Sequence, residues 1–167
     1  VYDKDVDIPA KTDDLNKTGY SFVEWNTAED GSGTSFAAGE TAKTPNLTPD
    51  KDGLVTLFAI WKANEYKVKL DPMGGKGGTE SVVATYDADM PKATMPTREG
   101  YTFDGYYDNE DPQAKGAKQY YDADGKSVAL WDKVGDATLY ASWIPNEYVV
   151  KFDKNNSQAT GSMSEQR

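Results

Sequence analysis

Along this chain apolar and aromatic residues alternate with small or polar ones in short runs bounded by Gly, Pro, Asn and Asp, the pattern of half-buried β-strands. In Tyr66-Lys-Val-Lys-Leu70 the alternation predicts Tyr66, Val68 and Leu70 facing a core, with Lys67 and Lys69 in water. Tyr148, Val150 and Phe152 predict the same inward set, with Val149 and Lys151 opposite. In Tyr101-Thr-Phe-Asp-Gly-Tyr-Tyr107 the inward residues are Tyr101 and Phe103, and Gly105 marks a bulge or a close backbone approach. Leu57 and Ala59, like Leu139 and Ala141, share one strand face while Phe58 and Ile60, or Tyr140 and Ser142, occupy the other, so both faces have some apolar character. Turn-rich connections separate these runs at 26–33, 48–53, 71–78 and 122–125, where Gly, Asp and Pro supply tight reversals. No stretch keeps an apolar period of 3.6, and at most one short helix per unit is expected, near Thr12 to Asn16.

Three of the strand segments recur in order at a nearly constant spacing. Gly19-Tyr-Ser-Phe-Val-Glu-Trp25 matches Gly100-Tyr-Thr-Phe-Asp-Gly-Tyr106, 81 residues on. Thr56-Leu-Phe-Ala-Ile-Trp61 matches Thr138-Leu-Tyr-Ala-Ser-Trp143, and Asn64-Glu-Tyr-Lys-Val-Lys-Leu-Asp71 matches Asn146-Glu-Tyr-Val-Val-Lys-Phe-Asp153, both 82 residues on. Such a period marks a tandem array of small units. The expected division is a first module at 1–63 that lacks its first strand, a second, complete module at 64–145, and the first strand and turn of a third at 146–167. The linkers Lys62-Ala-Asn-Glu65 and Ile144-Pro-Asn-Glu147 are expected to set a fixed relation between modules. The chain opens on Val1 inside a strand-like run and so reads as a piece of a longer array, with two complementary ends. The terminal strand at 147–153 is expected to complete the first module, within the chain or head to tail in a neighbouring copy, because an open sheet edge recruits a strand.

Charge and composition narrow the chemistry. The 28 acidic against 18 basic residues give a net charge of −10, which repels phosphate backbones and anionic lipid, so nucleic acid is not an expected partner. There is no cysteine, which removes disulfides, thiolate metal sites, thiol nucleophiles and thioester crosslinks, and no histidine, the commonest general base. Catalysis would have to run on carboxylates, Lys or Tyr alone. Hydrophobic residues are 37% of the chain, but 11 Tyr, 5 Phe and 4 Trp are among its bulky side chains, so the core must be built largely from rings. No apolar run approaches the about 18 residues that span a bilayer, and the start does not read as a signal peptide.

Several motifs touch on chemistry without completing it. Asp122-Ala-Asp-Gly-Lys-Ser127 partly matches a calcium loop, in which alternating carboxylates converge on a hard cation, and Asp122 and Asp124 are the calcium candidates. It lacks a third ligand before Gly125 and has Lys133 where the bidentate Glu belongs, so a plain Asp-Gly turn is the competing reading and no metal is assigned. The acidic runs at 3–7 and 50–52 read as solvated turns. Glu29-Asp30 and Glu110-Asp111 lie in loop sequence with no partner for acid–base work. Gly74-Gly-Lys-Gly-Gly78 lacks the Lys-Ser/Thr and helix of a phosphate loop and reads as a hairpin turn. No spacing of Lys and Asn identifies an isopeptide pair. Tyr120-Tyr-Asp-Ala-Asp-Gly-Lys126 is similar to a stretch of choline- and glucan-binding repeats, whose rings cage ammonium groups or stack on sugars. Tyr107, Tyr120 and Tyr121 are therefore a candidate ligand surface, with core or edge packing as the alternative. Trp25, Trp61, Trp131 and Trp143 raise the same question, although the equivalence of Trp61 and Trp143 argues for a structural role.

The run Pro96-Thr-Arg-Glu-Gly-Tyr-Thr-Phe-Asp-Gly-Tyr-Tyr107, followed by Thr138-Leu-Tyr-Ala-Ser-Trp143, resembles the Listeria-Bacteroides repeat, also called the internalin B repeat. Gly19 to Phe36 is similar to another version of the same module, and Tyr148-Val-Val-Lys-Phe-Asp153 to its first strand. The second unit departs from the shorter pattern by an insertion around Asp111 to Lys133. The resemblance implies a β-rich α+β class, with tandem small β-grasp-like modules and little helix, in secreted or wall-anchored bacterial surface proteins. It implies no enzyme, no catalytic residue and no cofactor. The expected role is a stalk or spacer, or an adhesive surface, whose first partners are neighbouring repeats. The alternative is a carbohydrate- or host-protein-binding module that uses exposed aromatic residues.

Overall fold

The computed structural model describes residues 6–11, 14–39, 41–42, 54–155, 157–158 and 160–165. Among them the chain forms strands and no helix: β1 (Val6–Asp7), β2 (Tyr20–Asn26), β3 (Ser35–Phe36), β4 (Thr41–Ala42), β5 (Phe58–Ala63), β6 (Glu65–Asp71), β7 (Ser81–Thr85), β8 (Tyr101–Tyr107), β9 (Gln119–Tyr121) and β10 (Ala137–Pro145). The β-rich half of the expected class is thus met. Of the helix expected near Thr12 to Asn16, residues 12 and 13 lie outside the described residues, and 14–16 are turn and irregular backbone.

The strands make a β1-β4 pair, a three-stranded sheet in the order β3-β2-β5 and a five-stranded sheet in the order β7-β6-β10-β8-β9. Compactness divides the chain away from the sequence repeat. One unit comprises Val1–Val68, Val83–Pro91 and Leu130–Ala137, and the other Lys69–Val82, Lys92–Ala129 and Thr138–Arg167. In the first unit Ile8 and Phe36 are buried, with Trp25 and Leu57 packed against them, and Val68, Ala84, Met90 and Trp131 are buried as well. In the second the buried apolar residues include Leu70, Val82, Tyr106, Tyr120, Tyr121, Leu139 and Ala141.

Strand β6 follows its sequence pattern, with Val68 at 0% and Leu70 at 2% exposure while Lys67 and Lys69 face solvent. Strand β8 does not. Against β10, Gly105 pairs with Ser142 but Phe103 with Trp143, so Asp104 has no partner and the alternation loses its phase there. Tyr101 and Phe103 are only half-buried, whereas Tyr106, beyond the bulge, is 1% exposed. The first repeat carries the same defect at the matching position. Phe22 pairs with Trp61 and Glu24 with Ile60, leaving Val23 as the extra residue. Gly105 itself has φ +141, and a Cβ on it would overlap the Gln119 amide and the Tyr121 carbonyl, which is the close backbone approach expected of it.

Among the described residues the segment after Pro145 contributes no strand to these sheets, although Val150 makes a single β-bridge. Tyr148, Val150 and Phe152 are exposed, Tyr148 by 66%, so within the chain they do not form the inward set that their alternation predicts. The pattern marks which residues a second sheet edge would bury, and among the described residues no strand covers them.

Candidate functional site

The most elaborated polar and aromatic arrangement outside the cores is a joint at the boundary of the two sequence repeats. Gly19 stands at φ +76, in the left-handed region that glycine alone occupies without strain, and turns the chain into β2. The Tyr86 ring lies so close over Gly19 that a Cβ there would overlap it. Tyr20 meets the same ring edge-on at 5.7 Å. Its hydroxyl donates to Asp87 Oδ2 at 3.1 Å, a bond that, with some desolvation and the nearby negative charge, raises the phenol above its ordinary pKa.

Asn64, between β5 and β6, ties three strands at this point. Its amide donates to the Gly19 carbonyl at 2.9 Å, its carbonyl accepts from the Tyr86 amide at 2.9 Å, and its side-chain oxygen accepts from Ser21 Oγ at 2.5 Å. Asn64 Nδ2 also donates to the Tyr66 hydroxyl at 3.3 Å. The Lys17 ammonium sits 3.8 Å from the Tyr20 ring centre, where the ring quadrupole attracts it. Chemically this arrangement holds two strand ends and a turn together.

The sequence-flagged candidates are distributed differently. Tyr120 and Tyr121 are both at 0% exposure, and half-buried Tyr107 donates its hydroxyl to Asp104 Oδ2 at 3.1 Å. These three rings therefore form no solvent-facing cluster, and burial pushes the Tyr121 phenol, like that of Tyr106, up to about 12. Both rings are buried because Tyr120 points into the core while the neighbouring Tyr121 lies across from Ser127 and packs on Tyr106. Asp122 spends one carboxylate oxygen on its own turn, accepting from Asp124 N at 3.0 Å and Lys126 N at 2.8 Å. Among the described residues no three His, Cys, Asp or Glu side chains gather as a metal site.

The paired carboxylates are turn caps. Asp30 Oδ1 accepts from the Ser32 hydroxyl at 2.6 Å and its amide at 3.0 Å, which together hold its pKa below the usual carboxylate value. Asp111 Oδ1 accepts from Gln113 N at 2.9 Å. The Gly74–Gly78 loop is tied to 94–97, with Lys76 and Thr97 exchanging backbone bonds of 2.8 and 3.0 Å.

Two features escaped the sequence reading. Each repeat holds an edge-to-face aromatic trio: Phe22 with Trp25 at 5.4 Å and Trp61 at 5.8 Å, and Phe103 with Tyr106 at 5.3 Å and Trp143 at 5.4 Å. The 81- and 82-residue recurrence contained all six rings, so the trios were findable by asking which repeated aromatics share a strand pair. Asn26, the one buried polar side chain among the described residues, donates to Gly31 O at 3.0 Å and accepts from Ala28 N and Gly33 N at 2.9 and 3.0 Å. No sequence signal separates it from an ordinary turn asparagine.

Comparison with known proteins agrees with the duplicated architecture. The sequence profile of the Listeria-Bacteroides repeat domain matches residues 1–61 and again 66–142. The chain is 33% identical over 160 residues to a putative Gly-rich membrane protein of Evansella cellulosilytica, covering 93% of this chain and 16% of that protein. It is 32% identical over 146 residues to Internalin H of Listeria monocytogenes, covering 87% of this chain and 23% of that one. A second Evansella cellulosilytica relative, a putative membrane protein, is 33% identical over 101 residues, 60% of this chain and 14% of its own length. The chain thus spans less than a quarter of each of these relatives. No solved structure matches it. Among the described residues no helix is long and apolar enough to cross a membrane, which leaves strand-built spans undecided. With two profile matches that together cover most of its length, the chain belongs to the Listeria-Bacteroides repeat domain family.

Proposed function

We propose that this chain is a non-catalytic spacer of a bacterial cell-surface protein, built of modules at 1–63, 64–145 and 146–167 that are coupled end to end. The joint at Gly19, Tyr20, Asn64, Tyr86 and Asp87 carries the reading. A flexible string of beads needs no side chain from one bead clasped by a turn of the next, whereas a stiff stalk does. The compact unit that contains the first repeat also takes in Val83–Pro91 of the second, which supports coupling across the boundary. The family's occurrence in Internalin H and in putative membrane proteins supports a surface setting.

A β-grasp-like module is part of the proposal. Numbered within the second repeat, the five strands run 2-1-5-3-4 across the sheet, the order of a β-grasp. Irregular backbone at 86–100 replaces the helix that usually crosses between the second and third strands. Spin labels placed one in each repeat test the stalk reading. A single narrow distance distribution is expected, and a broad one would sink it. A glycan and host-protein array with saturable binding by this chain would instead favour an adhesive module.

The exposed Tyr148, Val149, Val150 and Phe152 favour a second, compatible reading, in which residues 146–167 add to a neighbouring copy head to tail. Sedimentation that finds only monomer at every concentration would rule it out.

A further inference from the structure

The joint exists twice, once filled and once open. Lys17, Gly19, Tyr20, Ser21 and Asn64 have counterparts in Arg98, Gly100, Tyr101, Thr102 and Asn146, and the geometry repeats with them. Tyr20 N donates to Lys17 O at 3.0 Å and Tyr101 N to Arg98 O at 3.1 Å. The glycines stand at φ +76 and +77. Asn64 N donates to Gly19 O and Asn146 N to Gly100 O, both at 2.9 Å. Ser21 Oγ donates to Asn64 Oδ1 at 2.5 Å and Thr102 Oγ1 to Asn146 Oδ1 at 2.7 Å. The Lys17 ammonium lies 3.8 Å from its tyrosine ring centre, and the Arg98 guanidinium 3.9 Å from the Tyr101 ring. The difference is the occupant. Gly19 is buried under Tyr86, whereas among the described residues no atom comes within 4 Å of a Cβ placed on Gly100.

We propose that Arg98, Gly100, Tyr101, Thr102 and Asn146 form a docking socket for a following repeat of the same array, whose Tyr-Asp turn lays its ring on Gly100 and accepts from the Tyr101 hydroxyl. The occupant is fixed by the chemistry of the filled copy. A missing Cβ makes room for a flat ring, the Asn146 carbonyl stands where the Asn64 carbonyl takes the Tyr86 amide, and the phenol matches the one that reaches Asp87. Nothing in the socket needs a pre-existing partner to hold its shape, since every bond that defines it is made among residues 98–102 and Asn146 of this chain. The chain beyond it also begins as it does after the first joint, with Asn146-Glu-Tyr148 repeating Asn64-Glu-Tyr66. This inference deepens the spacer reading and rests on it, because a socket at each boundary makes the joint a property of the array.

The test is an extended chain in which a second copy of residues 64–145 replaces 146–167, compared with the original chain by amide hydrogen exchange. The added copy's Tyr86 amide is expected to be protected like the original one. Tyr101→Phe should speed its exchange by about threefold to tenfold, the scale of one hydrogen bond, and leave the first joint's Tyr86 amide unchanged. Gly100→Ala carries backbone strain in both chains but should loosen the added joint further, so its effect must be larger in the extended chain. An unprotected amide in the added copy, or equal effects of Gly100→Ala in both chains, overturns the socket while leaving the first joint and the spin-label test of the stalk untouched. Self-association of the original chain that Tyr101→Phe abolishes would name a second copy as the occupant and overturn it too.

Discussion

The hydroxyl of Tyr20 donates to the carboxylate of Asp87, 67 residues further along the chain, at 3.1 Å. The bond spans the boundary between two sequence repeats, and it closes over a glycine, Gly19, that the Tyr86 ring covers. Side chain, backbone and missing Cβ act together there, and each can be removed separately.

Removing the gap is the sharpest change. Gly19→Ala introduces a Cβ that overlaps the Tyr86 ring at a backbone φ of +76, where L-residues are strained. The strain alone costs about 1 kcal/mol, and displacing the ring adds to it, for an expected loss of about 2–3 kcal/mol. Urea unfolding measures the loss. Tyr20→Phe leaves the fold intact but removes the bond to Asp87, and in the parent the Asp87→Asn change should lower the Tyr20 pKa, since that bond is the main cause of its elevation. Because the folded-state pKa is the higher one, this contribution is complete below the ordinary tyrosine pKa and disappears as pH rises through the folded value. A Tyr20 titration by NMR that is identical in Asp87→Asn would count against the bond.

Asn26 is the polar counterpart. Its side chain is wholly buried and satisfies the Gly31 carbonyl and the Ala28 and Gly33 amides, so Asn26→Ala strands those groups and should cost about 2–4 kcal/mol. Asn26→Asp keeps the acceptor but loses the donor and sets a carboxylate against Glu24 Oε1, which the native amide reaches at 3.3 Å. That variant should regain stability as pH falls and the new acid is protonated. Thermal melts at neutral and mildly acidic pH separate the two. A neutral Asn26→Ala would mean that water replaces the side chain without loss.

The strand pattern was legible where the alternation runs unbroken. Tyr66, Val68 and Leu70 turned inward as read, because nothing interrupts the pleat between Glu65 and Asp71. It failed at Asp104, where one extra residue shifts the phase and buries Tyr106 in place of Phe103, a local event that period-two reading cannot register. Tyr120 and Tyr121 failed for another reason: both faces of β9 are covered, so consecutive rings can both be buried. The recurrence of Gly19 and Gly100 was plain in the sequence, but its partner Tyr86 has no local signature. Only the fold brings that ring to the glycine. The terminal run at 148–152 shows the limit from the other side, since alternation names a face without supplying what covers it.

Gly105 tests the bulge that displaced the reading. A Cβ there would overlap the Tyr121 carbonyl as well as the Gln119 amide, whose Nε2 donates to Asp104 O at 3.1 Å. Backbone cannot swing aside as a flexible side chain can, so Gly105→Ala should cost about 2–4 kcal/mol and release β9 from β8. Faster amide exchange at Gln119 to Tyr121 is the expected sign. Unchanged exchange there would show that the bulge does not depend on the glycine.

The buried tyrosines give the array an alkaline limit. Burial raises the Tyr106 and Tyr121 phenols from 10.0 to about 12, with Asp71 adding to the first and Tyr106 to the second. The neutral forms are the ones the core accepts, so the stabilisation is whole below pH 10 and drains away between 10 and about 12. Each tyrosine removes about 1.4 kcal/mol per pH unit across that window. The two rings are 6.1 Å apart, so ionising one opposes ionising the other and the two phenols lose their protons in successive steps. Tyrosinate absorbance and tryptophan fluorescence should change together at high pH, and Tyr106→Phe should lower the Tyr121 phenol pKa by removing the neighbouring charge that opposes its ionisation. If all eleven tyrosines titrate smoothly near 10 while the tryptophan signal stays constant, the phenols are not held neutral by the core.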